Sequence, residues 1–105
     1  MKAEYKTPSP LFAKATVVVT AGVHHRMEAN KEFARDVTVA VMKFQALDWG
    51  DTCASDCQTN EDCLKTGDRI FAVYHTCNGR IYVIADAVMD NKPYNIITVL
   101  FPSEY

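Results

Sequence analysis

Between Phe33 and Leu47, apolar side chains recur every three to four residues: Phe33, Val37, Ala40, Val41, Phe44 and Leu47 fall at i, +4, +7, +8, +11 and +14. That spacing collects them on one face of a helix. Lys31, Glu32, Arg35, Asp36 and Lys43 lie mainly off it, where a solvated side would carry them. The helical pattern begins at Val23, after Ala21-Gly22 breaks a β-branched run, Ala15 to Thr20 (ATVVVT), that predicts a strand. Gly50 closes the first helical region. A further helix is predicted to start near Ser55 or Asp56, either of which can cap it, and to stop at Gly67 with Lys65 in its last turn.

The alternation then changes period. Arg69 to Thr76 (RIFAVYHT) and Ile81 to Val88 (IYVIADAV) flank Cys77-Asn78-Gly79-Arg80. Asn-Gly between two β-rich runs signals a hairpin, because a type I′ turn needs positive φ at both central positions. Pairing Cys77 with Arg80 sets His75 opposite Tyr82, Val73 opposite Ile84 and Phe71 opposite Asp86. After a loop around Asn91-Lys92-Pro93, Ile96 to Phe101 (IITVLF) forms a last strand, stopped by Pro102. The expected fold is α+β: an N-terminal strand, two or three helices, then a three-stranded antiparallel meander, with the helices on one face of the sheet. Residues 1–12, with two prolines and little periodicity, are expected to be a flexible lead, and 13–105 a single domain.

Composition narrows the function. The chain has 105 residues, 49% of them hydrophobic, as expected for one folded domain. A formal charge of −2 and a pI near 5.8 argue against direct nucleic-acid binding, which calls for a basic excess. No apolar run approaches the roughly 18 residues of a membrane span. The opening MKAEYKTPSPLFAKATVVVTAG imitates a signal peptide, but Lys14 abuts an apolar stretch of only strand length. The expected location is the cytoplasm of a bacterial host cell, where the four cysteines are thiols or metal ligands rather than disulfides.

The cysteines are spaced C-x3-C-x5-C-x13-C, with His75 two residues before Cys77. This is not the paired C-x2-C of a zinc ribbon, yet Cys53, Cys57 and Cys63 with His75 or Cys77 make a candidate zinc set. Against it stands the plain reading: Cys63 a small buried hydrophobe, the others loop or surface thiols. The acids around Cys53 and Cys57 would raise a thiol pKa, opposite to the need of a nucleophile. His24-His25 point about 100° apart on a helix and suit neither a metal face nor one acid–base site. With no Gly-rich phosphate loop and no nucleophile elbow, no catalytic residue is assigned and the chain is read as a non-enzyme.

Charge segregation is the stronger signal. Asp48, Asp51, Asp56, Glu61 and Asp62 lie between Lys43 and Lys65 with no lysine or arginine among them. Carboxylates on a rigid scaffold can imitate a row of phosphates and fill a basic channel. Trp49 is the expected aromatic anchor of such a contact.

VVVTAGV (17–23), DWGD (48–51), Asn60 with Leu64 and Gly67, Arg69, Tyr74, NGRIYVI (78–84) and ITVLFPSEY (97–105) together resemble a group of short bacterial proteins carried on plasmids and other mobile elements. The chain also looks like a type II-A anti-CRISPR, a small inhibitor of Cas9. The resemblance spans roughly residues 17–105 and rests on DWGD and LFPSEY. It implies a non-enzymatic protein that binds Cas9 or the Cas9–guide RNA complex. It assigns no contact residues, so the acidic contact of 48–62 is a reading of the charges alone. In that group a residue like Cys53 is frequent, whereas Cys57, Cys63 and Cys77 replace other residues, which counts against a four-cysteine site. NKPYN (91–95) resembles a local addition.

Two other readings stay open. The order of elements resembles small ribonuclease toxins of toxin–antitoxin pairs, for which Arg69, His75, Arg80 and Tyr82 are the available cluster. Such proteins are usually strongly basic, and this chain is not. The third reading is a metal-stabilised interaction module.

Overall fold

The computed structural model describes residues 8–87 and 94–105. Strand β1 (Thr16–Val19) leads into helix α1 (Ala21–Ala29), and α2 (Lys31–Gln45) follows after Asn30. Asn30 has an extended backbone (φ −141°), and its Oδ1 accepts from Phe33 N–H, so one residue ends α1 and caps α2. The helical region is therefore two helices, and it begins two residues before Val23. Thr20 Oγ1 caps α1 by accepting from Val23 N–H, and Gly22 sits inside the helix rather than breaking the chain.

Gly22 has a different task. A Cβ there would lie 2.6 Å from Glu104 Oε2. Glu104 Oε1 accepts from Thr20 Oγ1 and from Phe101 N–H, each at 2.8 Å, which docks the 3-10 turn Pro102–Glu104 on the start of α1. The two ends of the sequence resemblance, VTAG and LFPSE, thus hold each other.

At the end of α2 the Leu47 N–H bonds back to the Phe44 carbonyl and the Asp48 N–H to that of Lys43. This is a Schellman closure with Leu47 (φ +66°) in the left-handed position usually given to glycine. Helix α3 (Ala54–Thr66) starts just ahead of Ser55, with Cys53 at the cap position making no side-chain cap, and ends at Gly67 as expected.

Strands β2 (Ile70–Thr76), β3 (Gly79–Asp86) and β4 (Ile96–Leu100) complete one sheet in the order β1-β4-β3-β2. Neighbours β2/β3 and β3/β4 are antiparallel, but β1 lies parallel to β4, with Thr16 opposite Ile96. The expected three-stranded antiparallel meander is therefore corrected to a four-stranded mixed sheet. Four short β-branched residues carry no signal of where, or in which direction, they pair.

The hairpin also differs from expectation. Thr76 pairs with Gly79, placing His75 opposite Arg80, Val73 opposite Tyr82 and Phe71 opposite Ile84. The loop is Cys77-Asn78, and positive φ occurs at Gly79 (+97°) but not at Asn78, so the turn is not type I′. Thr76 Oγ1 accepts from Asn78 N–H and donates to the Gly79 carbonyl, while Asp36 of α2 accepts from Cys77 N–H at 2.8 Å. A two-residue slip leaves every side chain on its own face, which is why alternation could not reveal it.

Ile70, Ala72 and Tyr74 of β2, Ile81, Val83 and Ala85 of β3, and Ile97 and Val99 of β4 share one face and are all buried. Val23, Phe33, Val37, Ala40 and Phe44 from the helices join them in one core, so the helices cover that face. The opposite face carries the rings of Phe71, Tyr82 and Tyr105, packed 4.7–5.8 Å apart between centroids. Phe12, assigned to the flexible lead, is 2% exposed and lies 5.4 Å from both Phe44 and Tyr94. A lone aromatic outside any periodic run gives no sign of where it packs. Residues 1–7 of that lead, and Asn91, Lys92 and Pro93 of the expected loop, lie outside the described residues. Among the described residues no helix is long and apolar enough to cross a membrane.

Candidate functional site

Strand β2 is an edge of the sheet, yet the outward backbone groups of Phe71 and Val73 and the N–H of His75 are engaged. Asn60 of α3, 3% exposed, donates Nδ2–H to the Phe71 carbonyl at 2.7 Å and accepts from Phe71 N–H at 3.1 Å. Its amide imitates the backbone of a neighbouring strand. Two residues on, Val73 N–H donates to Thr52 Oγ1 at 2.8 Å, and the Val73 carbonyl accepts from Asp51 N–H at 2.8 Å. Two further on, His75 N–H donates to Asp51 Oδ2 at 2.9 Å. The period of two is that of a strand whose alternate backbone groups face outward.

Gly50 makes this approach possible. Its φ is +60°, and a Cβ would overlap the Tyr74 ring. Tyr74 donates its hydroxyl to the Asp48 carbonyl at 2.6 Å, and burial, with Asp48 nearby, pushes its phenol well above the ordinary tyrosine value. Asp48 Oδ1 in turn accepts from Gly50 N–H. DWGD is thus, first of all, the latch that seals β2.

Trp49 departs from its expected role. It is 6% exposed, packs edge-on against Phe44 with centroids 5.5 Å apart, and donates Nε1–H to Glu61 Oε2 at 2.7 Å. It belongs to the core and offers no surface for a partner. Its flanking acids had suggested exposure, but they lie at the surface while the indole turns inward.

All five acids of the segment are exposed residues, although most have internal tasks. Asp51 also meets His75 Nδ1 at 3.0 Å, and hydrogen bonds from that side chain and its N–H hold the Asp51 carboxyl below its usual value. Glu61 holds Trp49, Asp48 holds Gly50, and Asp62 accepts from Gln58 Nε2 at 3.2 Å. Asp56, in the first turn of α3, accepts no hydrogen bond from the described residues and favours the helix dipole.

The candidate zinc ligands do not converge. Cys53 Sγ is 3.5 Å from Ser55 Oγ, and Cys57 Sγ donates to the Thr52 carbonyl at 3.4 Å. Cys63 lies about 120° round the helix from Cys57 and packs against the core. Cys77, on the hairpin loop, is 3.9 Å from Asn30 Nδ2, and His75 is committed to Asp51. Among the described residues no three His, Cys, Asp or Glu side chains form a group that could hold a metal. Burial, ahead of nearby acids, raises the Cys57 and Cys63 thiols above their ordinary value.

The toxin-like cluster is likewise divided. His75 and Arg80 are cross-strand partners at the hairpin end. Arg69 lies beyond the other end of β2, about 20 Å away at strand rise, with its Nε 2.8 Å from Asp86 Oδ1. Asp86 raises the Arg69 pKa, and the pair borders a groove of about 390 Å³ floored by Ile84 and Leu100. Thr52 carried no sequence signal, and Asn60 stood only among the residues of the resemblance, with no role assigned to it. The available signal was a polar side chain at 60, on the α3 stripe of Cys57 and Leu64. No family model, curated protein or solved structure matches this chain.

Proposed function

We propose that this protein is a non-enzymatic inhibitor that binds a type II-A Cas9, alone or with its guide RNA, and competes with DNA through its acidic segment. The observation that supports the reading is the run Asp48, Asp51, Asp56, Glu61 and Asp62, exposed and uninterrupted by any basic residue. A basic channel that holds nucleic acid attracts such a surface by the electrostatics that attract phosphates. The contact is carried by Asp56 and Asp62 on α3, flanked by Asp48, and not by Trp49, which is buried.

Asp51→Lys is a poor probe, because Asp51 also holds the His75 N–H and its removal loosens β2. Asp56→Lys with Asp62→Lys reverses two charges on the outside of α3 while leaving the core untouched. The reading predicts that this variant keeps its circular dichroism spectrum and loses about tenfold or more in inhibition of Cas9 DNA cleavage. Full potency in a folded double variant would remove the acidic-contact mechanism.

A further inference from the structure

The two edges of the sheet are treated oppositely. The β2 edge is sealed by Asn60, Thr52 and Asp51, whereas β1 ends the sheet on the other side with nothing against it among the described residues. Thr16 and Thr20 donate their N–H groups to the Asn95 and Val99 carbonyls of the β4 side. With the period-two alternation of a strand, the N–H and C=O of Val17 and Val19 therefore point outward, and neither has a hydrogen-bond partner on that side among the described residues. Val17 and Val18 are each 40% exposed. An open, uncharged, β-branched edge is a template for pairing with another strand, and proteins that do not use one usually block it with lysine, proline or a bulge. Here none of these devices stands within Thr16–Thr20.

The sequence of that edge identifies its occupant. Thr16-Val17-Val18-Val19-Thr20 reads the same in both directions. In an antiparallel pair centred on Val18, each residue meets its own kind: Val18 meets Val18, Val17 meets Val19 and Thr16 meets Thr20. Val17 and Val19 exchange both backbone hydrogen bonds with their opposites, four in all, while Val18 forms a close non-hydrogen-bonded pair across the axis. No charge is buried by this pairing, and the contact is isologous, so it closes at two copies. We propose that the protein forms a two-fold dimer through antiparallel pairing of β1 with β1, joining two four-stranded sheets into one continuous sheet.

Analytical ultracentrifugation over a concentration series tests this, read with two variants. Val17→Pro removes an N–H that β4 does not use, so the fold tolerates it while the dimer loses the bonds made by that donor. Val18→Lys places two like charges across the proposed axis, from a side chain that is already 40% exposed. The expected result is wild type approaching twice the 11.8 kDa chain mass as concentration rises, with both variants monomeric and normal by circular dichroism. Amide exchange gives a second reading: Val17 and Val19 N–H become protected as the dimer forms. If Val17→Pro fails to fold, Val18→Lys and the exchange data decide. A wild type that stays monomeric overturns the proposal and leaves the edge to a strand from another protein. A dimer that persists in folded Val18→Lys with Val17 and Val19 exchanging freely also overturns it.

Discussion

Replacing Asn60 isolates the device that seals the sheet. In Asn60→Ala the Phe71 N–H and C=O lose their partners at 3.1 and 2.7 Å, in a site where Asn60 itself is 3% exposed. An ordinary hydrogen bond contributes about 1 kcal/mol net, while a buried group left unsatisfied costs about 1–3 kcal/mol. Water reaching part of the vacated space lowers that penalty, so the two groups together give a loss of about 2–4 kcal/mol. For a domain of this size that is about 8–16 °C in Tm, a large share of a total stability of about 5–15 kcal/mol. Differential scanning calorimetry with urea unfolding is the assay. Asn60→Asp supplies a sharper test at almost constant shape. Its carboxylate can still accept from Phe71 N–H but faces the Phe71 carbonyl with no proton to donate. Protonation restores the donor, and burial also favours the neutral form, so the folded pKa lies above the unfolded value of about 3.9. The stability contribution is then fully present below that value and lost as pH rises through the folded pKa. Asn60→Asp should therefore approach wild type in acid and fall away from it at neutral pH. A loss under about 0.5 kcal/mol in Asn60→Ala, or a pH-independent deficit in Asn60→Asp, would refute the clamp.

Three further outcomes follow from the same geometry. Gly50→Ala forces a Cβ into left-handed backbone and against the Tyr74 ring, and should cost about 3 kcal/mol by urea denaturation. The Asp51 carboxyl is held below its ordinary value by His75, so its contribution is present above pH 3.8 and lost as pH falls through the lower folded value. Asp51→Asn should flatten the acid limb of a stability-against-pH curve, by a small amount because the pair is about half exposed. Finally, partial burial raises the thiols of Cys57 and Cys63, so native alkylation with iodoacetamide should modify both more slowly than Cys53, which is exposed.

The parts of the fold legible in the sequence are those set by local repetition. Phe33, Val37, Ala40 and Phe44 announced the buried face of α2, because a helix turns the same side inward every 3.6 residues. The hairpin at Cys77-Asn78 was legible as a hairpin, but its register was not, since a slip of two preserves the alternation. Pairing of β1 with β4 joins residues some 80 positions apart, and four β-branched residues hold no instruction about their partner. Phe12 and Tyr94 entered the core from irregular segments, where no periodicity points inward.

The acidic segment divides in the same way. Its charges could be counted, but the residues that occupy them could not, because Trp49 and His75 reach Glu61 and Asp51 through tertiary packing. DWGD and LFPSE accordingly read as fold-holding: one seals β2, and the other meets Thr20 and Gly22 at the start of α1. Asp56 and Asp62 lie outside both latches, and the proposed contact rests on them.

The most direct test of the proposed function is DNA cleavage by a type II-A Cas9–guide complex, with this protein added either before or after the target DNA. Strong inhibition is expected when the protein comes first, and little when DNA is already bound. Equal inhibition in both orders would contradict competition for the DNA channel, and absence of inhibition in either order would contradict the Cas9 assignment itself.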